Sequence, residues 1–176
     1  MGLTVRENLQ FEDAFFVNDR EHQLAIVQKI RQYQPEIVLA NAISDRHPDH
    51  GKGSALISQA CFLSGLAKIE TVLDGEAQKA WRPQNVYHFI QSNYIEPDFI
   101  VDVSEHWEQK MEAVQAYRSQ FFDPKSKEPM TFISTPEFMK LIESRGVEMG
   151  QPAGVRYCEG FTIERRMKVK DLFDLN

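Results

Sequence analysis

Four consecutive apolar residues, Ile37-Val38-Leu39-Ala40, follow Pro35 and open directly onto the polar run 41–53, and no other feature of the chain constrains its fold as tightly. A run that is apolar at every position and begins with two β-branched residues does not suit a half-solvated sheet, where alternate side chains face water. It suits a parallel strand covered by helices on both faces. The flanking segments agree. Asn18, followed three residues later by Glu21, has the form of a capping box, and Ile26, Val27, Ile30 and Tyr33 then recur at helical spacing up to Pro35. From about Ser54 the pattern turns helical again, with Leu56, Ile57, Ala60, Cys61 and Leu63 on one broad face and Gly65 placed to end it. Helix, strand, polar loop and helix make one arm of an α/β sheet.

The remainder extends this arm. Residues 74–83 are polar and expected at the surface, and 86–90 and 99–103 read as two further strands. Ser104 is expected to cap a helix whose buried side carries Trp107, Met111, Val114, Tyr117 and Phe121. Thr135-Pro136-Glu137 marks another helix start, with proline at the first helical position, and that helix is expected to stop near Gly146. Residues 155–163 are expected to form an edge strand. There is no internal repeat or low-complexity linker, and 176 residues suffice for one sizeable core, so residues 1–176 are expected to form a single domain.

A formal net charge of -6 gives no basic field with which to hold a polyanion, which argues against nucleic acid or an acidic membrane surface as partner and favours a small-molecule substrate. No apolar stretch approaches the length that spans a bilayer, the N-terminus lacks the apolar core of a signal peptide, and a cytoplasmic location is expected. Cys61 and Cys158 lie far apart in apolar surroundings and are expected to be buried thiols.

The chemistry concentrates in the loop 41–53, because ligands of open α/β sheets bind beyond the carboxyl ends of the strands. Within it, Asp45-Arg46-His47-Pro48-Asp49-His50 places two imidazoles, two carboxylates and a guanidinium in six residues. Neutral imidazole is a good zinc ligand, and a catalytic zinc needs three protein ligands and an open position for water. Asp49 is placed to accept a hydrogen bond from an imidazole and fix its tautomer. On spacing alone the same residues also read as a polar turn whose histidines cap the next helix or face solvent. His22 and His106 sit at helix starts and read as surface residues; His88, in a strand beside Tyr87, reads as a pocket lining or a structural histidine. Tyr157 and Glu159 read as packing residues that can also approach a ligand.

Asp45-Arg46-His47-Pro48-Asp49-His50-Gly51, directly after Ile37-Val38-Leu39-Ala40-Asn41, resembles the second signature of the LmbE/PIG-L family of zinc-dependent N-acetylglucosamine deacetylases. More narrowly, the chain is similar to the deacetylases of bacillithiol biosynthesis, which act on N-acetylglucosaminyl malate. The similarity extends over Arg6-Glu7-Asn8-Leu9, Cys61-Phe62-Leu63-Ser64-Gly65-Leu66, Trp81-Arg82-Pro83, Val86-Tyr87-His88, Glu159-Gly160-Phe161 and Val169-Lys170-Asp171-Leu172-Phe173. The resemblance implies a Rossmann-like three-layer α/β fold with a mostly parallel sheet, a homo-oligomer, and Zn2+ as cofactor. It implies His50 as a zinc ligand, His47 as the imidazole that stabilises the oxyanion or protonates the leaving amine, Asp49 as its orienting carboxylate, and Arg46 as a substrate contact.

The family's first signature, Ala-His-Pro-Asp-Asp, supplies two further zinc ligands and the general base, and nothing like it occurs before Asp45. The chain is therefore expected to be an N-terminally incomplete form with first strands missing, and to be a poor deacetylase by itself. The alternatives are a non-enzymatic fragment or subunit that acts through protein interaction, and a deacetylase for another N-acetylglucosamine conjugate.

Overall fold

A computed structural model describes residues 2–127 and 129–174. The helix α1 (Arg20–Tyr33) is capped by Asp19 rather than Asn18: Asp19 Oδ1 accepts from the His22 backbone N at 3.0 Å, and Asn18 bonds instead to the Gln23 side chain. A carboxylate interacts more strongly with the positive helix terminus than an amide does, which accounts for the shift by one residue. Gln34 closes the helix in the left-handed region at φ 47°, just before Pro35. The strand β1 (Ile37–Ala40) falls where the apolar run predicts, but it is not covered on both faces, since Ile37 and Leu39 are exposed.

The helix α2 (Pro48–Ser64) begins at Pro48, well before Ser54, so Asp49, His50 and the glycines that follow belong to its first turns and not to a loop. Gly65 caps its end as expected. The segment 74–83 lies mostly at the surface, as expected, and its start is ordered in a hairpin. The strands β2 (Val72–Leu73) and β3 (Glu76–Ala77) form a hairpin turning through Asp74 at φ 52° and Gly75 at φ 85°, the geometry that an Asp-Gly pair favours. Trp81 in the same segment packs on the core, and its Nε1 donates to Pro35 O at 2.8 Å.

The chain divides into two compact units, the larger formed by Glu7–Asp98 with Phe161–Asn176 and the smaller by Met1–Arg6 with Phe99–Gly160. In the larger unit, β1 lies parallel to β4 (Asn85–Phe89) with Ala40 opposite His88, and β4 lies antiparallel to the end of β6 (Cys158–Ile163) with His88 opposite Thr162. Val27 and Ile30 of α1 and Ala60 and Cys61 of α2 form the buried core, joined by Val38, Val86 and Ile57. Arg31 is buried with them, at 4% exposure, and its guanidinium donates to the carbonyls of Ser64, Leu66 and Ile69 and to the Thr71 hydroxyl. One cation thereby ties α1 to the chain leaving α2.

In the smaller unit, β5 (Phe99–Asp102) runs beside the start of β6, and Val103 N donates to Tyr157 O just beyond it. β6 is thus paired on both sides and is not an edge strand. Ser104 begins a 3₁₀ turn and does not cap the helix that follows. Its hydroxyl accepts from Tyr157 N at 3.0 Å, which leaves α3 (Trp107–Gln115) without a side-chain cap. Trp107 is the buried residue of α3, Met111 and Val114 are half-buried, and Tyr117 lies beyond the helix and exposed. The expected α/β class with mostly parallel strands flanked by helices is what the chain adopts.

The helix α4 (Pro136–Gly150), capped by Thr135, runs past Gly146, because this glycine serves packing rather than termination. The Trp107 ring stacks on Tyr157 at 4.1 Å, and a Cβ on Gly146 would lie 2.6 Å from that ring. Gly146→Ala is therefore expected to destabilise by about 1–3 kcal/mol through overpacking, more than the gain in helix propensity of about 1 kcal/mol. A lowered Tm checks this; an unchanged or raised Tm means that the indole moves aside at no cost.

Cys61 and Cys158 are free and buried, as the sequence predicts. Burial, with a smaller contribution from Glu164, pushes the Cys61 thiol up to about 12. Burial and then Asp102 push Cys158 upward as well.

Candidate active site

The local physics of a helix start builds this site. Proline at the first helical position has a pre-set φ and needs no hydrogen-bond acceptor, and the residue before it is held extended, as His47 is at φ -83° and ψ 123°. His47 then caps α2 itself: its Nδ1 accepts from the Asp49 backbone N at 3.3 Å. An Nδ1 that accepts leaves the neutral ring protonated at Nε2, so His47 offers a donor there. His50, one turn on, has the opposite tautomer. Its Nδ1 meets Asp45 Oδ2 at 2.5 Å, which places the proton on Nδ1 and the lone pair on Nε2. Gln91 agrees: its Oε1 accepts from Ala42 N at 3.2 Å, and its amide nitrogen is thereby turned to His50 Nε2 at 3.4 Å. The two rings lie 5.3 Å apart, one presenting a donor and the other an acceptor.

Asp45 is the residue that sequence reasoning gave no role. Its side chain is fully buried, against 29% exposure for that of His50. Burial pushes its carboxyl up, but hydrogen bonds from Asn93 N, His50 and Arg46 N together outweigh burial and hold it below the ordinary carboxylate value. A folded value below the unfolded one contributes stability that is complete above about pH 4 and is lost as the pH falls through the lower folded value. Asp45→Asn is therefore expected to reduce the sensitivity of folding to acid below pH 4, and to weaken any metal affinity of His50 about 10- to 100-fold. Acid unfolding and a zinc titration check the two effects.

Asp49, expected beside an imidazole, has its carboxylate on other partners. Oδ2 accepts from Ala14 N at 2.7 Å and Oδ1 pairs with Lys52 Nζ at 2.6 Å, while Lys52 also donates to Ala14 O. The Lys52 hydrogen bond is the main cause that holds the Asp49 carboxyl below its ordinary value, against the opposing effect of burial. Arg46 is exposed on the same turn.

A carboxylate, an imidazole bonded to it at Nδ1 and an Nε2 left as an acceptor form the arrangement that presents a metal ligand, and His50 fits it, with the Gln91 amide on that acceptor here. Among the described residues, however, no group of three or more His, Cys, Asp or Glu side chains is gathered to hold a metal ion. The described residues thus supply one prepared ligand and do not complete a catalytic zinc site.

An open cleft of about 520 Å3 lies along the same helix, walled in part by Gly51, Ser54 and Ser58 of α2, His88 of β4, Thr162 of β6 and Glu164. His88 is 2% exposed; its Nδ1 lies 2.9 Å from both Asn41 O and Ser54 Oγ, and its Nε2 lies 3.0 Å from Glu164 Oε1. Serine, histidine and glutamate in a row suggest a nucleophilic triad, but the geometry argues against one. Ser54 is itself 3% exposed and closed to a substrate, and the His88 Nδ1 beside it also faces Asn41 O, an acceptor that competes for any proton on that nitrogen. The row is a brace joining β4, α2 and the end of β6. Glu164 carried no sequence signal, because it opens a charged run, Glu164-Arg165-Arg166, that reads as solvated surface.

No family model matches the sequence. Three solved structures are similar to it. N,N'-diacetylchitobiose deacetylase from Pyrococcus horikoshii, in complex with its inhibitor MPG, matches at a TM-score of 0.69 and 21% identity, over 94% of this chain and 60% of that one. GalB, the 4-carboxy-2-hydroxymuconate hydratase of Pseudomonas putida KT2440, matches at a TM-score of 0.69 and 19% identity, over 92% and 65%. These two share the fold, and they host different reactions on it. The conserved protein TT1542 from Thermus thermophilus matches at a TM-score of 0.80 and 30% identity, over 96% of this chain and 70% of that one. At that identity and coverage the likeness is one of descent as well as shape, and the chain belongs to the family of TT1542.

Proposed function

We propose that the protein serves hydrolytic N-deacetylation of an N-acetylglucosamine conjugate, and more narrowly of N-acetylglucosaminyl malate in bacillithiol biosynthesis. The observation that carries this reading is the pair of opposed imidazoles at the start of α2. A donor at His47 Nε2 is suited to the oxygen of an amide carbonyl as it gains negative charge, and afterwards to the leaving amine. His50, fixed by buried Asp45, presents Nε2 as a ligand for Zn2+. When bound, such an ion supplies a water of lowered pKa. Arg46, exposed beside the imidazoles, suits a carboxylate of the aglycone. The fold shared with a diacetylchitobiose deacetylase supports this assignment.

Zinc content and acetate release from N-acetylglucosaminyl malate, measured side by side, test it. His50→Ala is expected to abolish both, and a variant that keeps its zinc and its turnover overturns the assignment. A second reading, a subunit that acts by pairing with another chain, is favoured by the exposed Ile37 and Leu39 on β1, at 53% and 57%. A wild-type chain that neither holds zinc nor turns over, but associates in sedimentation, selects this second reading.

A further inference from the structure

Two surfaces of the larger unit are left over by its own packing, and they are opposite in charge. The first is the arm 164–174, which leaves the end of β6 and is exposed at every residue. Within it Arg166-Met167-Lys168-Val169-Lys170 alternates basic with apolar side chains, so that in extended chain the bases fall on one side and Met167 and Val169 on the other. A 3₁₀ turn (Leu172–Asp174) follows, ordered by its own aspartates. Asp171 Oδ1 accepts from Phe173 N at 3.1 Å, and Asp174 Oδ2 accepts from Lys170 N and Asp171 N at 3.3 Å. This turn holds Leu172 and Phe173 in water at 79% and 88% exposure. Large apolar side chains displayed side by side mark a contact surface, where single scattered ones do not. The second surface is the open cleft along α2. Its walls include Ile43, Ile95 and Ile163 together with the carboxylates of Glu96, Asp98 and Glu164, and no lysine or arginine. Each carboxylate is fixed through one oxygen, Glu96 by the Tyr94 hydroxyl, Asp98 by Ile163 N, and Glu164 by His88 and Ser58. All three are thus oriented and retain acceptor capacity. The arm matches the cleft in both respects, because residues 165–174 carry four basic and two acidic side chains in a chain whose formal net charge is -6.

We propose that the cleft is the docking site for the arm of a second copy of this chain, with Leu172 and Phe173 set against its isoleucines and the bases of 166–170 against Glu96, Asp98 and Glu164. Charge complementarity selects this occupant: the cleft is acidic and the arm is basic. An anionic membrane suits the arm less well, since the negative charge of the whole chain opposes it. The two surfaces also meet at Glu164, the cleft residue from which the arm departs. A two-fold axis beside that residue lets two copies exchange arms, which closes the interface and covers both surfaces at once. The exchange uses neither the exposed residues of β1 nor the imidazoles of His47 and His50, so acetate release does not enter its test.

Sedimentation equilibrium of the full chain measures the pairing, and Tm reports whether each variant is folded. Wild type is expected to pair, and raising the salt from about 0.05 M to about 0.5 M to weaken the pairing about tenfold, as the facing charges are screened. Phe173→Asp is expected to weaken it about tenfold or more, and Glu96→Lys about tenfold, each with Tm unchanged, because both changes lie at the surface. A mixture locates the contact: 15N-labelled wild type is combined with unlabelled Met167→Cys protein carrying a nitroxide, which buried Cys61 and Cys158 do not take up. Any broadening then arises between copies. The amide signals of Ser58, Ile95 and Glu96 are expected to broaden, and those of 37–40 to stay sharp. A monomeric wild type, pairing unchanged in both Phe173→Asp and Glu96→Lys, or broadening at 37–40 with the cleft unaffected would each overturn the proposal. So would Phe173→Asp shifting the cleft signals with no broadening between copies, the mark of an arm that folds over its own cleft.

Discussion

Replacing His47 with alanine is expected to lower the turnover of acetate release by about two to three orders of magnitude, with KM changed only a few-fold. The expectation follows from where the imidazole spends its two nitrogens. Nδ1 is occupied by the first turn of α2, so the donor at Nε2 is held in place before substrate arrives and loses no orientation as charge develops. Such a donor acts on the transition state more than on the bound substrate, and its loss therefore falls on kcat. His47→Ala also removes a helix cap, at a cost of about 0.5–2 kcal/mol, so thermal unfolding must accompany the kinetics. His47→Asn, which keeps a side-chain acceptor for the cap but cannot extend a donor as far, is expected to recover stability without recovering turnover. Wild-type turnover in His47→Ala would reduce this histidine to a cap.

Arg31→Leu is expected to cost the larger unit about 3–5 kcal/mol, because it removes four hydrogen bonds from a buried charged donor, each worth about 1.5–3 kcal/mol before the cost of burying the charge is returned. The guanidinium is surrounded by oxygen acceptors, three of them backbone carbonyls, and leucine fills the volume while taking a donor from each: Ser64 O and Leu66 O keep only Trp81 N and Ile69 N, and Ile69 O loses its guanidinium donor. Arg31→Lys retains the charge but reaches fewer of these acceptors from a single point, and is expected to fall between the two. Urea unfolding of the three proteins gives the order. Equal stability of wild type and Arg31→Leu would mean that water replaces the lost donors.

Elements whose signal is local were legible in the sequence. β1 is apolar at every position, and Thr135-Pro136 starts α4 with a cap and a proline that act within one turn. Pro48 carried the same helix-start signal, yet the glycines at 51 and 53 drew the expected loop onward to Ser54; with α2 beginning at Pro48, His47 becomes the cap and His50 a first-turn residue. Long-range partners were not legible. Nothing in the spacing of Asp45, Asp49 and His50 distinguishes the carboxylate that meets the imidazole from the one that meets Ala14 and Lys52, because Asn93 and Ala14 approach from distant parts of the chain. For the same reason Gly146 read as a helix end, when what fixes it is the Trp107 ring, and nothing local marked Arg31 as buried.

The two cysteines give each unit a clock. At neutral pH a thiol with a pKa of about 12 is ionised to roughly one part in 10^5, and enclosure bars reagents from even that fraction. A momentary opening restores both the access and the acidity of an ordinary cysteine. Alkylation read by mass spectrometry at Cys61 thus counts the openings of the larger unit, and at Cys158 those of the smaller, in unmodified protein under native conditions. If the two sites label at one rate the units open together, and if the rates differ their ratio measures how much more often one of them comes apart.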